Sequence, residues 1–281
     1  MSRTCNRHSR IPLAVTLLTL IFMYTPLIMV GIASFNASRF SGKWEGFSFI
    51  WYQRLFENSK IWMALCNTLV IAVIATVLST VLGTLSALAL YRSRSRLQGI
   101  YYALVYTPLV VPDILIGISL LLLFVLLISI CGSWMNSLFG IDFGLGMTTI
   151  VIAHVTFCMS YVAMVVLGRL QEFDHTQVEA AQDLGAGSVY TFFHVTLPQI
   201  LPGVIAGALF AFTLSIDDFV ITYFVKGAGD TTLPIYIQSA IKKGGKVLPQ
   251  LNALSVIFIL LTFALVFATQ KILTSKTENK K

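Results

Sequence analysis

The sequence predicts an all-α integral membrane protein of about six transmembrane helices, on the strength of three observations. Hydrophobic residues fill 57% of the 281 positions and charged residues only 11%, whereas soluble domains carry about 25% charged residues. Apolar runs of about twenty residues or more recur along the chain, each sufficient for a hydrocarbon core roughly 30 Å thick. The formal charge of +7 is spread over the turns and termini between those runs. Membrane orientation and anionic head groups account for a charge placed that way, and a nucleic-acid partner does not.

The expected spans lie near 11–33, 64–90, 100–131, 145–168, 202–225 and 251–271, within one membrane domain covering 1–281. Arg3, Arg7 and Arg10 precede the first. A cleaved signal peptide is the competing reading, but the run is long for such a segment and further spans follow, so it is read as a retained helix. Between the first two spans, 36–60 is polar and aromatic, with Trp44, Trp51 and Tyr52. Trp51 and Tyr52 suit either an aromatic belt at the membrane surface or a cation–π platform over the mouth of a pathway. The second span is free of charge and is closed by Arg92, Arg94 and Arg96. The third holds one acid, Asp113, with Pro108 and Pro112. Those prolines either kink the helix by removing backbone donors or break it to open backbone to a cavity. The fourth is charge-free around His154, which reads as a packed, hydrogen-bonded residue or as a proton relay. The fifth is interrupted by Asp217-Asp218 and carries Gly203-x-x-x-Gly207, a pattern of close helix packing that names no partner. A short basic tail follows the sixth.

An even number of spans puts both termini on one side. The inner segments then hold eleven Lys and Arg and the outer segments eight. The short flanks dominate, and the arginines before the first span and after the second place both termini in the cytoplasm. The four cysteines (Cys5, Cys66, Cys131, Cys158) show neither C-x-x-C nor metal-ligand spacing and read as packing residues.

A polar island at 169–199 separates the fourth and fifth spans and is expected to form two short helices. Asp174 suits an N-cap, with Gln177 completing a capping box. Gly185 suits the left-handed residue that ends the first helix. Ser188 then caps a second, with Val189, Phe192, Phe193 and Leu197 on one face and Pro198 as its stop.

The island also carries Glu179-Ala180-Ala181, three residues, Gly185, nine residues, then Val195-Thr196-Leu197-Pro198. That pattern resembles the coupling loop of the MetI-like ABC importer permeases, which usually have Ile where this chain has Val195. The resemblance implies the MetI-like fold in a bacterial cytoplasmic (inner) membrane. It implies coupling helices, carried here by Glu179, Ala180, Ala181, Gly185, Leu197 and Pro198, that seat in a groove of each of two ATPase subunits. A second homologous permease and an extracytoplasmic binding protein complete the implied complex. Nearly the whole chain is similar to the polyamine branch of that family. The similar segments are 34–40, 108–123 with Pro112-Asp113, 153–158, and 212–218, where Ser215 stands beside Asp217-Asp218. The resemblance therefore implies a spermidine/putrescine cargo delivered by a polyamine-binding protein, and raises Trp51 as a pathway platform.

No nucleotide site of the chain's own is expected. Gly244-Gly245-Lys246 continues with Val247, whereas a P-loop needs Ser or Thr after its Lys. No Ser/His/Asp grouping or H-E-x-x-H is apparent, so neither catalytic nor metal residues are assigned. No cofactor is expected either, since ATP belongs to the partner. Depth supplies the pathway residues. Asp113 is 14 residues above Gly99, about 21 Å at the helical rise. Asp217 and Asp218 are 15 and 16 residues above Pro202, about 23–24 Å. Three acids at one level, with no Lys or Arg in the spans to pair them, favour a cation route over an anion such as sulfate, molybdate or phosphonate. The alternative is that they brace neighbouring helices. Adjacent helical residues diverge by about 100°, so one of Asp217 and Asp218 is expected to face the cargo. A channel or membrane enzyme is the other rival class, and neither needs an ATPase dock.

Overall fold

The computed structural model describes residues 10–39, 43–92, 96–139, 144–174 and 176–278, without the side chains of 10–11, 131–139 and 264–278. Arg3, Arg7, Arg94 and Cys5 lie outside the described residues, as do the side chains of Arg10 and Cys131. Five helical stretches are long and apolar enough to cross a bilayer: Pro12–Ser34, Ser59–Arg92, Asp113–Ile130, Met147–Gln171 and Ser188–Asp217. Leu248–Phe263 is a shorter apolar one. The chain divides into two compact units, one of residues 1–62 with 237–281 and one of residues 63–236.

In the first unit, α1 (Arg10–Ser34) and α2 (Ile50–Glu57) both pack on α12 (Leu248–Glu278). The segment between α1 and α2 is organised by Asn36, which bridges to Phe47. Its amide donates to the Lys43 carbonyl at 2.8 Å, and its side-chain oxygen accepts from the Ser38 and Glu45 amides. One Asn side chain thus satisfies backbone groups that a loop would otherwise leave to water. Tyr52 closes the segment by sharing a hydrogen bond of 2.9 Å with Ser34.

The second unit contains most of α3 (Ser59–Arg92), then α4 (Gln98–Val110), α5 (Asp113–Phe139), α6 (Met147–Gln171), α7 (Thr176–Asp183), α8 (Ser188–Thr191), α9 (Leu197–Asp217) and α10 (Val220–Val225). The short α11 (Leu233–Lys242) straddles the division between the units. Helix α6 is central to the second unit and packs against α4, α9 and α10. Its buried Ile150, Ala153, Phe157, Val162, Val166 and Leu170 recur at helical spacing. Small residues let its neighbours close in. A Cβ on Gly83 of α3 would lie 2.7 Å from the Val162 Cβ, and one on Gly207 of α9 would lie 3.2 Å from the Val162 Cγ1. The partner of the Gly203-x-x-x-Gly207 stripe is therefore α6. Packing of this kind holds membrane helices together where lipid removes the hydrophobic drive.

The third and fifth expected spans are each two helices rather than one. The third parts at Val111-Pro112, where Val111 takes an extended ψ of 131° before α5 begins at Asp113. The fifth parts at Asp218, with ψ of 122°, before α10 begins at Val220. Pro112 explains the first break, because its ring disfavours helical backbone at the residue before it.

Candidate functional site: two broken helices on one face of α6

Both breaks face α6. A Cβ on Gly117 of α5 would meet the Phe224 ring at 2.8 Å and the Ile221 Cα at 3.4 Å, so α5 and α10 run in close contact just beyond the breaks. Asp218 meets His154 and is within electrostatic reach of Cys158, while Asp113 is within reach of Tyr161. His154, Cys158 and Tyr161 follow at helical spacing along one stripe of α6.

The two members of the Asp-Asp pair have different surroundings. Asp218 is nearly enclosed. Its Oδ2 accepts the Thr222 amide at 2.8 Å and the Thr222 hydroxyl at 2.7 Å, and its Oδ1 accepts the Ile221 amide at 3.3 Å. It thereby satisfies amide donors that the first turn of α10 leaves open. His154, 2% exposed, places Nε2 at 3.2 Å from the Asp218 Oδ2 and 2.9 Å from the Thr222 Oγ1, and Nδ1 at 2.7 Å from the Ser215 Oγ. Thr222 uses its one hydroxyl proton on Asp218, so the network assigns the ring hydrogen facing them to Nε2. Losing a hydrogen bond to a buried carboxylate of this kind costs about 1.5–3 kcal/mol. Asp217 and Asp113, by contrast, are exposed on the described chain.

Ser215 and Trp51, the other two residues expected in the pathway, are both buried. Ser215 is only 3% exposed and its hydroxyl is shared with the His154 ring at 2.7 Å. Ser215, His154 and Asp218 do form a Ser/His/Asp grouping, which sequence inspection missed because the partners are 61 and 64 positions apart. Buried in the packing of α6 and α9, that hydroxyl has no room for a reacting substrate. Trp51 is 2% exposed, donates its indole N–H to the Asn36 carbonyl at 2.6 Å, and carries Arg54 over its ring at 5.0 Å. One face of the ring is thus taken by the chain's own cation.

Aromatic rings that composition did not single out pair with one another on the elements that carry or meet the acids. Tyr161 stacks edge-on to Phe157 at 5.0 Å and packs on Phe210 at 5.7 Å, while Phe219 packs on Tyr223 at 5.6 Å. Phe210 and Tyr223 are each about half exposed. The available signal was their spacing: Tyr223 is six positions from Asp217, and Phe210 seven. Among the described residues no group of three or more His, Cys, Asp or Glu is placed to hold a metal.

At the other end of the second unit, α7 and α8 form a separate polar projection. The Asp174 carboxylate accepts the Thr176 amide and hydroxyl, while the Gln177 side chain is engaged by Gln199. Gln177 is thus held by the base of α9. Gly185 has φ of +86°. Its amide bonds the Gln182 carbonyl, and the Ala186 amide bonds the Ala181 carbonyl, a Schellman ending that a left-handed glycine permits. Gly187, not Ser188, occupies the cap of α8. The second helix also does not stop at Pro198. It widens into a π turn over Phe192–Thr196, with the Leu197 amide reaching the Phe192 carbonyl, and continues as α9. Pro198 lacks an amide and its ring crowds the preceding turn, so the wider turn lets one helix run from Ser188 to Asp217. Leu184 at 89% and Val189 at 72% exposure, with exposed Tyr190 and Phe193, leave this projection with an uncovered apolar face. Glu179 stands on its first helix, in the first turn of α7.

A helical membrane unit with broken spans at one level and an exposed two-helix projection has the anatomy of an importer permease. The chain belongs to the family described as binding-protein-dependent transport system inner membrane component, which matches residues 79–278. It is 42% identical over 248 residues to the putrescine transport system permease protein PotI of Escherichia coli K12, covering 88% of this chain and 85% of that one. It is 39% identical over 251 residues to the spermidine/putrescine transport system permease protein PotC of Haemophilus influenzae, covering 89% and 91%. Among solved structures it is similar to a bacterial ABC transporter that imports alginate, with a TM-score of 0.69 over 92% of this chain and 94% of that one. It is also similar to the methionine transporter MetNI, with a TM-score of 0.58 over 76% and 96%. At 16% and 17% identity these two establish the MetI-like fold alone.

Proposed function

We propose that this chain is the transmembrane permease subunit of an ATP-driven importer for polyamines. It forms the translocation pathway with a second homologous permease, and covalent chemistry is left to two copies of an ATPase subunit. An extracytoplasmic binding protein hands over the cargo. The likeness over nearly the whole chain to permeases named for putrescine and spermidine carries this reading. The chemistry of the breaks supports it. Asp113 and Asp217 offer separated carboxylates to the ammonium groups of a flexible cation, and Tyr161, Phe210 and Tyr223 offer ring faces to its methylenes and charges. An anion would meet like charge at the same level.

Cells deprived of this subunit are expected to lose uptake of labelled putrescine, spermidine or both, and to regain it from a plasmid copy, with sulfate uptake unchanged. Unaltered polyamine uptake in the deprived cells would refute the assignment.

The same reading places both termini and the α7–α8 projection in the cytoplasm of the bacterial inner membrane. A reporter active only outside the membrane should be silent when fused after Lys281 and active when inserted near Gly229. An active C-terminal fusion would overturn that orientation.

A further inference from the structure

Helix α10 has six residues, too few to be stable through its own hydrogen bonds. It is held at both ends by α6. At its N-terminal end His154 clamps Asp218 and Thr222; at its C-terminal end the Thr149 hydroxyl lies 2.7 Å from the Val225 carbonyl and 2.8 Å from the Gly146 carbonyl, which share its proton. The face of α10 carrying Ile221 and Phe224 lies on Gly117, one turn past Asp113. One short helix thus connects the Asp217 break to the Asp113 break, and its placement depends on the carboxylate that His154 holds.

We propose that His154 is a positioning residue for transport. By fixing Asp218 as the cap of α10, it keeps Asp217 as the outward-facing member of the pair and holds α10 against α5, which sets the geometry of the two exposed carboxylates. His154 touches no cargo; it acts through Asp218. The inference rests on the polyamine reading above and on Asp217 facing the cargo.

The test uses the complete complex in proteoliposomes, reading labelled putrescine and spermidine uptake and ATP hydrolysis together. Glutamine at 154 can span to one of the ring's two sets of partners but not both. His154→Gln should therefore lower polyamine accumulated per ATP hydrolysed by about tenfold, the scale of one lost hydrogen bond to a charged group. A loss of folded complex alone would lower uptake and hydrolysis together and leave that ratio unchanged. The double variant His154→Gln with Asp218→Asn removes the uncompensated carboxylate and retains a good helix cap, so it should recover most of the ratio. Should His154→Gln fail to assemble, Thr222→Val, which removes the hydroxyl between ring and carboxylate, carries the test and should lower the ratio in the same direction. A wild-type ratio in the assembled single variant, or no recovery in the double, would overturn the proposal. Asp217→Asn in the same vesicles reads the premise separately: if it transports normally, the pathway reading fails whatever His154 does.

Discussion

Asp217→Asn is expected to reduce polyamine uptake by at least tenfold while the assembled complex still hydrolyses ATP. The side chain is exposed at the end of α9, where the helix breaks. A carboxylate facing lipid costs about 2.5–3.5 kcal/mol at mid-membrane and less at the shallower level of Asp217, so an acid there usually faces an aqueous or cationic neighbour. A charge-assisted hydrogen bond is worth about 1.5–3 kcal/mol, or roughly tenfold or more in a rate that depends on it. Asparagine keeps the shape and removes the charge, which separates electrostatic binding from packing. Asp113→Asn should act similarly, because the α5–α10 contact sets both breaks beside one stripe of α6. Parallel measurement of labelled polyamine uptake and ATP hydrolysis checks both variants. Wild-type transport by both would make these acids structural.

Glu179→Lys should insert normally but lose most of its association with the ATPase. The carboxylate sits in the first turn of α7, where a negative charge suits the helix dipole. Reversal costs the helix only about 0.3–1 kcal/mol on that account, too little to dismantle a segment also tied down at Asp174 and Gln177. On the proposed coupling role the larger effect falls on docking, where a like-charge contact would replace an attraction. Recovery of the ATPase with detergent-solubilised variant measures this. Wild-type recovery together with wild-type uptake would place Glu179 outside the docking surface.

Local rules made the spans and the hinge legible. Apolar length reports a membrane helix whatever surrounds it, and the left-handed φ of Gly185 belongs to a residue without a Cβ. Contacts between distant residues were not legible. Nothing near Ser215 in the chain indicates that His154 will take its hydroxyl and leave it buried. Trp51 read as part of an aromatic belt or as a cation–π platform, and the chain pattern did not show that the Asn36 carbonyl takes its N–H and Arg54 lies over its ring. Pro198 read as a stop because proline removes a donor, and a π turn accommodated that loss without ending the helix. The Asp-Asp pair lay between these cases. Helical geometry requires the two to diverge, but only the positions of Thr222 and His154 show that Asp218 is the enclosed one.

The central claim is that this chain opens a polyamine route that ATP drives. It is tested most directly by ATP-dependent accumulation of labelled putrescine and spermidine in vesicles holding the purified complex and its binding protein. The expected result is accumulation of one or both that vanishes when this chain is omitted and falls at least tenfold with Asp217→Asn. Accumulation that is unchanged without the chain, or a complete complex that hydrolyses ATP and moves neither amine, would contradict it.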